Sequence, residues 1–321
     1  MQKAGYAIAI GRLTSLAGSG TFITTLEGGV DSDESPERAR GWRWWLWPAL
    51  ALSFLLFAVP QAFFIAMGLH RNLGFGRISE TYTLANYSRI VSDPLYLSSF
   101  ALTLELSLVA TAIGLLLGFP TAYVLARVRG RLASFLISVL LISSFITVVI
   151  KVLGLIVILS QNGLVNGLLL RLRLLAAPLP LLSNRIGVLI GLVHYTLPFL
   201  VLILFSVIQT IPKSLEEAAE SQGASRLSVL RRVVVPLSMP GVVAGGLIAF
   251  NMAMGAFTSA VLLGGGRVLT LPVLIQRKIV FDVDYPLGSA LSTALLVVVF
   301  LINVLVTVLA TRLSRPARAL A

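Results

Sequence analysis

Six long apolar segments constrain this chain more than any other feature of its sequence. A sliding-window reading places them at residues 46–69, 98–126, 133–159, 185–210, 237–262 and 287–311. Each holds about 20 or more mostly apolar residues, which is the length that a helix needs to cross the hydrocarbon core of a bilayer. Because backbone polar groups in lipid must be satisfied within the segment, we predict six transmembrane helices and an all-α integral membrane protein.

The composition agrees with this prediction. Hydrophobic residues make up 57% of the chain and charged residues 12%, whereas a soluble domain carries about 25% charged residues. The net charge of +12 would suggest a nucleic-acid partner in a soluble protein. Here the cations fall mostly at the ends of apolar segments, which indicates membrane topology and no nucleic-acid partner. The absence of cysteine from the sequence excludes disulfides, thiol nucleophiles and Cys-ligated metals.

The distribution of lysine and arginine predicts the orientation. If the N-terminus is cytoplasmic, fifteen of these residues lie on the cytoplasmic side and nine on the other side. The very short loop 127–132 contains Arg127, Arg129 and Arg131, and short loops carry the strongest topological signal. We therefore expect both termini in the cytoplasm.

Composition also divides the chain into four zones. Residues 1–43 are predicted to be a poorly ordered cytoplasmic tail, although their opening stretch faintly resembles a signal peptide interrupted by Arg12. Translation from an upstream start codon is an alternative explanation for part of this tail. Residues 44–94 hold the first transmembrane helix and an outer loop, residues 95–312 the core, and residues 313–321 a second cytoplasmic tail.

The cytoplasmic loop 211–240 has the sequence pattern of two short helices. Ser214 and Glu217 fit the S-x-x-E capping box, and Gly223 supplies a helix stop that tolerates a positive φ. Ser225 starts a second helix, and Pro236 marks the return toward the membrane. This pattern fits either an ordinary capped helical hairpin or a rigid foot that sits in the groove of a partner protein.

The sequence contains no recognisable catalytic or nucleotide-binding constellation. No G-x-x-x-x-G-K-[ST] motif occurs, and no His/Asp/Glu cluster has metal-ligand spacing. We therefore expect no catalytic residues, no bound cofactor and no metal site. If transport is active, its energy must come from another polypeptide.

Two ionisable residues lie inside predicted spans, Glu105 in the second and Lys151 in the third. Charges in hydrocarbon are expensive, so such residues usually face a water-filled path or one another. We predict that they line the translocation path or pair across helices, with snorkelling toward a membrane surface as the alternative. His194 and Tyr195, and Phe257 and Thr258, are further candidates for the path, or else packed core residues.

The loop also resembles a known signature. Glu217-Ala218-Ala219, then three residues, Gly223, nine residues and Val233-x-Val235-Pro236 is similar to the EAA signature of the permease subunits of bacterial ABC importers. Valine replaces isoleucine and leucine in its last block. The resemblance implies that these residues couple the chain to an ATPase, within the coupling loop 211–236. It implies further that the core has the MetI-like type-I ABC importer permease fold.

Several stretches resemble the spermidine/putrescine branch of that family, in particular its first-permease type. They are GFPTAYVLAR, QNGLVNGLLL, GLVHYTLPFLVL and GAFTSAVLLGGGRVLTLPVLIQ. The resemblance implies a multi-pass protein of the bacterial inner membrane that imports polyamines or a related cationic or zwitterionic solute. It also implies a second permease subunit, two ATPase subunits that bind ATP and Mg²⁺, and a periplasmic or lipoprotein solute-binding protein. An ion-coupled secondary carrier is the alternative, and it predicts inverted repeats that the sequence does not show.

Overall fold

The computed structural model describes residues 36–128 and 130–318, with side chains over 47–128 and 130–312. The chain divides into two compact units, Met1–Pro60 and Gln61–Ala321. Helix α1, Pro36–Gly68, begins in the first unit and includes the apolar stretch Trp47–Gly68. This helix thus starts within the predicted tail 1–43, at a proline, which is favoured at the first helical position. That residues 1–43 form a poorly ordered cytoplasmic tail stays a prediction. Residues 1–35 of that tail lie outside the described residues.

The second unit opens with a small hairpin that the sequence prediction missed. Strands β1, His70–Gly74, and β2, Arg77–Tyr82, pair antiparallel. Their turn passes through Gly74, Phe75 and Gly76 with φ values of 91°, 50° and 75°. Glycine adopts a positive φ at little steric cost, so the glycines on both sides of Phe75 allow this left-handed turn. The expectation of a purely helical chain is therefore wrong in this segment.

The remaining elements of the second unit are helical. They are α2 Ala85–Ser92, α3 Pro94–Arg127, α4 Arg131–Phe145, α5 Val148–Leu159, α6 Leu164–Arg171, α7 Arg185–Gln209 and α8 Lys213–Ser221. They continue with α9 Arg226–Val229, a π-helical turn Leu230–Val234, α10 Val235–Met254, α11 Thr258–Gly264, α12 Leu271–Gln276, a second π-helical turn Arg277–Phe281 and α13 Tyr285–Arg318. Helix α13 extends to Arg318 and thus through most of the predicted tail 313–321.

Six helical segments among the described residues are long and apolar enough to span a membrane, which confirms the predicted number. They are Trp47–Gly68, Pro94–Arg127, Val148–Arg171, Arg185–Gln209, Arg226–Met254 and Tyr285–Arg312.

Two of the predicted spans have different bounds in the structure. The third, 133–159, is broken into α4 and α5 by extended residues Ile146 and Thr147. A hydropathy average does not detect this break, because Ile146 is as apolar as its neighbours and Thr147 is as small as some of them. The fifth, 237–262, ends as a helix at Met254, and a short turn leads into α11.

Helices α3, α7 and α10 pack closely around Leu200, which is fully buried on α7. A Cβ atom added to Gly114 or Gly118 of α3 would lie 3.3 Å from Leu200 Cδ2, and one added to Gly245 of α10 would lie 3.0 Å from Leu200 Cδ1. Small residues let the helix backbones approach in this way in membranes. The result is a tight three-helix core that leads to Arg127 and Gln209 at one end.

Candidate functional site

Helix α8 follows α7 after three residues, Thr210–Pro212, and lies at the same end of the unit as Arg127. Pro212, with φ −60° and ψ 131°, precedes the first helical residue, Lys213. Ser214 therefore lies inside the first turn, and no side chain caps this helix. The predicted Ser214/Glu217 capping box is thus wrong, because the capping position belongs to Pro212.

The end of α8 confirms the prediction for Gly223. The Gly223 N–H donates to Glu220 O at 2.9 Å, and the Ala224 N–H donates to Ala219 O at 3.1 Å. Gly223 has φ +86°. These two bonds and the left-handed glycine form a Schellman motif, which ends the helix and turns the chain.

The second short helix also begins where the sequence predicts. Ser225 Oγ accepts a hydrogen bond from the Ser228 N–H at 3.4 Å. Helix α9 then runs through the π-helical turn into α10, and Val229 and Val234 are buried in this passage. Val233 and Val235 are half-buried, whereas Pro236 is exposed in the first turn of α10.

The outward side of this segment combines acidic, small and apolar side chains. Glu217 and Ala218 are exposed, and Ala219 is half-buried. Leu215 and Leu227 are 45% and 64% exposed. Exposed leucines beside a small-residue helix surface and a free carboxylate form a compact face suited to binding another protein.

The opposite side of α8 is occupied by polar contacts to α3 that the sequence prediction missed. Glu216 forms an ion pair with Arg127 and accepts a hydrogen bond from Tyr123 Oη at 2.9 Å. Lys213 Nζ donates to Arg127 O at 3.3 Å, and Arg127 Nη2 donates to Ile211 O at 3.4 Å. Consecutive helical residues point about 100° apart, so the neighbouring glutamates 216 and 217 face different surroundings. This angle between adjacent positions is the feature of the sequence that could have shown that Glu216 and Glu217 have different partners.

The two charged residues inside the predicted spans, Glu105 and Lys151, do not pair with each other, which was one predicted alternative. Glu105 Oε2 lies 3.6 Å from Arg185 Nη1, at the first residue of α7, rather than pairing with Lys151. Both side chains of this ion pair are more than half exposed. Lys151 lies in the first turn of α5 and is close enough to His194 for an electrostatic interaction. A role of Glu105 and Lys151 in the translocation path stays a prediction.

The other candidates for the path lie on two elements. His194 is exposed on α7, and the ring of Tyr195 meets that of Phe199 edge-on at 6.5 Å between centroids. Phe257 and Thr258 are half-buried at the start of α11 rather than within α10. The structure brings Lys151 and His194 near one another, and the roles of these four residues also stay predictions.

Comparison with known proteins gives three results. Residues 110–318 match the family described as binding-protein-dependent transport system inner membrane component. The chain is 33% identical over 256 residues to the spermidine/putrescine transport system permease protein PotB of Haemophilus influenzae, a match that covers 79% of this chain and 89% of that protein. It is 36% identical over 221 residues to PotB of Escherichia coli, covering 69% and 80%.

A more distant relative is the molybdenum transport system permease protein ModB of Mycobacterium tuberculosis, 31% identical with 66% and 79% covered. Among solved structures, the fold is similar to a chain of a bacterial ABC transporter that imports the acidic polysaccharide alginate. That match has a TM-score of 0.67 and 20% identity, and it covers 85% of this chain and 99% of the other. A chain of the MetNI methionine ABC transporter matches with a TM-score of 0.51 and 18% identity, covering 70% and 98%.

Proposed function

The chain belongs to the family of binding-protein-dependent transport system inner membrane components, and from that membership we propose that it is one permease subunit of an ATP-driven polyamine importer. It is a multi-pass protein of the bacterial inner membrane. Spermidine and putrescine are the proposed solutes, because the PotB proteins are more similar to this chain than the molybdenum permease is.

The observation that carries this proposal is the outward face of α8. Glu217, Ala218, Ala219 and Gly223 follow the EAA spacing, and the helix presents Glu217 and Ala218 to the surroundings while its far side is fixed to α3. We assign this face to an ATPase subunit. The remaining signature residues, Val233, Val235 and Pro236, hold the return into α10.

The proposed assembly contains this chain, a second and different permease subunit, two ATPase subunits and a solute-binding protein. ATP and Mg²⁺ bind to the ATPase subunits. ATP binding closes the ATPases and displaces α8, which converts the path between the two permeases from inward-facing to outward-facing. The solute-binding protein delivers its cargo at the other end, near the Glu105–Arg185 pair. In this arrangement both termini of the chain are cytoplasmic.

Purification tests the coupling face. In membranes that contain the whole system, Glu217→Ala should lower the amount of ATPase that co-purifies with the chain by about tenfold, because a central contact of the interface is lost. Gly223→Val should act in the same direction, since a β-branched residue at φ +86° costs roughly 1–2 kcal/mol and disturbs the helix end.

Glu80→Ala is the matched control, because Glu80 is an exposed glutamate on β2, at the other end of the unit. It should leave ATPase recovery unchanged. Full recovery of the ATPase with both coupling variants would refute the assignment of this face. Uptake of radiolabelled spermidine by proteoliposomes tests the solute, and uptake that persists without the ATPase would favour an ion-coupled carrier.

A further inference from the structure

The inner side of α8 is fixed to the end of α3 by a set of contacts that differs from the coupling face. Glu216 has one carboxylate oxygen against the Arg127 guanidinium and the other 2.9 Å from Tyr123 Oη. The guanidinium also lies over the Tyr123 ring, 5.8 Å from its centroid. Residues 89 positions apart in sequence thus form one polar cluster, which we name the α3–α8 clamp and define as Tyr123, Arg127 and Glu216.

Burial makes this clamp hard to open. Only 16% of the Arg127 side chain and 12% of the Glu216 side chain are exposed. The buried Nε atom of Arg127 has no hydrogen-bond partner among the described residues, so Glu216 carries most of the neutralisation of the guanidinium. Separating α8 from α3 would leave a largely buried cation and a largely buried carboxylate without their partners, which is strongly unfavourable.

The other end of α8 leads into an irregular part of the chain. A Cβ atom added to Gly223 would have no atom of the described residues within 4 Å, so there is space around this bend. The chain then passes through α9 and the π-helical turn Leu230–Val234 before it joins α10. π-Helical turns are irregular points in a helix and are frequent at functional sites. Helix α8 is therefore joined to α3 by the clamp on one side and to α10 through an irregular passage on the other.

We propose that the α3–α8 clamp makes α8 and α3 move as one body, so that a displacement of α8 by the ATPase passes directly to α3. Tyr123, Arg127 and Glu216 are positioning residues in this mechanism, and Glu217 is the docking residue. The inference rests on the proposed function, because it requires an ATPase that pushes on α8.

Helix α3 is a suitable recipient of the movement. It carries Glu105 at its far half, and Gly114 and Gly118 seat it against Leu200 of α7. A shift of its Arg127 end is therefore transmitted through a tightly packed helix pair to the Glu105–Arg185 end. Rigid elements with such close contacts are the physical carriers of coupling between distant sites.

The test uses the purified whole complex in proteoliposomes. Glu216→Gln keeps the size of the side chain and removes its charge. We expect ATP-driven spermidine uptake to fall about tenfold or more, because the cation on α3 loses its buried partner. Recovery of the ATPase with the chain and basal ATP hydrolysis should stay at the level of the unsubstituted complex, since Glu217 and Ala218 are untouched.

A charge exchange tests whether the pairing of the two side chains matters, while the retained ATPase recovery and basal ATP hydrolysis separate force transmission from a merely structural role. The double variant Arg127→Glu/Glu216→Arg should recover at least half of the lost uptake, whereas Arg127→Glu alone should be as inactive as Glu216→Gln. Thr121→Ala is the control on the same helix, because within the described part of the chain the exposed Thr121 hydroxyl bonds only to the Leu117 carbonyl of its own helix. It should transport normally.

Two outcomes would overturn the clamp: unchanged uptake in Glu216→Gln, or loss of the ATPase from that variant together with uptake. Failure of the proposed function is a different result and appears in the unsubstituted protein. In that case the chain recovers no ATPase, or its proteoliposomes take up no spermidine when ATP is present.

Discussion

Asn166 shows how a single polar side chain can hold together a loop of this protein. Its side chain is fully buried, and its Nδ2 donates to Ser160 O and to Leu179 O, both at 3.0 Å. Its Oδ1 accepts from the Leu179 N–H at 2.8 Å. One amide therefore joins the end of α5 to the segment that precedes α7.

Asn166→Ala should lower the free energy of unfolding by roughly 2–4 kcal/mol, because the three hydrogen bonds of a fully buried amide are lost. The midpoint of thermal unfolding of the detergent-solubilised complex measures this. Asn162→Ala is the control, since Asn162 is exposed and its loss should stay within about 0.5 kcal/mol. Equal shifts for the two variants would contradict the bridging role.

At this scale the sequence was informative about backbone conformation and less so about partners. Asn162-Gly163 and Asn166-Gly167 both predict turns, yet Asn166 lies within α6 and is fully buried. By contrast, Gly223 has the positive φ that the helix-stop pattern predicts. The backbone conformation of a glycine can be predicted from the few residues around it. The hydrogen-bond partners of Asn166, in contrast, lie as far as 13 residues away in the sequence.

At the scale of elements, α7 owes its position to glycines that allow other segments to approach. A Cβ atom on Gly187 would lie 2.4 Å from the Leu181 carbonyl oxygen. A Cβ on Gly191 would lie 2.3 Å from Leu263 Cδ1 of α11. The first obstacle is backbone and has little freedom to move, while the second is the end of a flexible side chain.

Gly187→Ala should therefore destabilise the protein more than Gly191→Ala does. We expect a loss of about 1–3 kcal/mol for Gly187→Ala from overpacking against backbone. Thermal unfolding in detergent measures both variants. Gly154→Ala on α5 is the control, because nothing lies within 4 Å of its added Cβ, and it should be neutral or slightly stabilising. A stability of Gly187→Ala equal to that of the control would show that the Leu181 loop yields easily.

The predicted spans were accurate where apolarity alone decides and inaccurate at two helix boundaries. The first, second, fourth and sixth predicted segments differ from the observed apolar helices by a few residues at each end. The break at Ile146–Thr147 and the early end of α10 at Met254 involve no proline and no change in hydropathy. Gly255 is the C-cap of α10, and a hydropathy average gives no weight to such a helix stop.

At the scale of the whole molecule, the sequence predicts the docking face that we propose but not its attachment to the rest of the chain. The EAA spacing is contiguous over 20 residues and can be recognised directly. The contact of Glu216 with Arg127 joins residues 89 apart, and each of the two lies among other charged residues of its own segment. The binding of α8 to an ATPase therefore stays a prediction from the resemblance to importer permeases, and only the structure relates α8 to α3.

The orientation of the whole chain in the membrane is the remaining prediction, and the absence of cysteine from the sequence makes it directly measurable. Helix α3 runs from Pro94 to Arg127, and Arg127 contacts α8, so the β1–β2 hairpin and α8 belong to opposite ends of α3.

Phe75 at the hairpin tip and Gln222 after α8 are both exposed, so a cysteine at either position should react readily. The excess of lysine and arginine on the α8 side predicts that this side is cytoplasmic. Phe75→Cys should therefore be labelled in intact cells by a membrane-impermeant maleimide, and Gln222→Cys only after permeabilisation. The unsubstituted chain is the unlabelled control. Labelling of Gln222→Cys in intact cells would show that the orientation is the opposite one. Helix α8 would then lie outside the cytoplasm, the compartment that contains ATP.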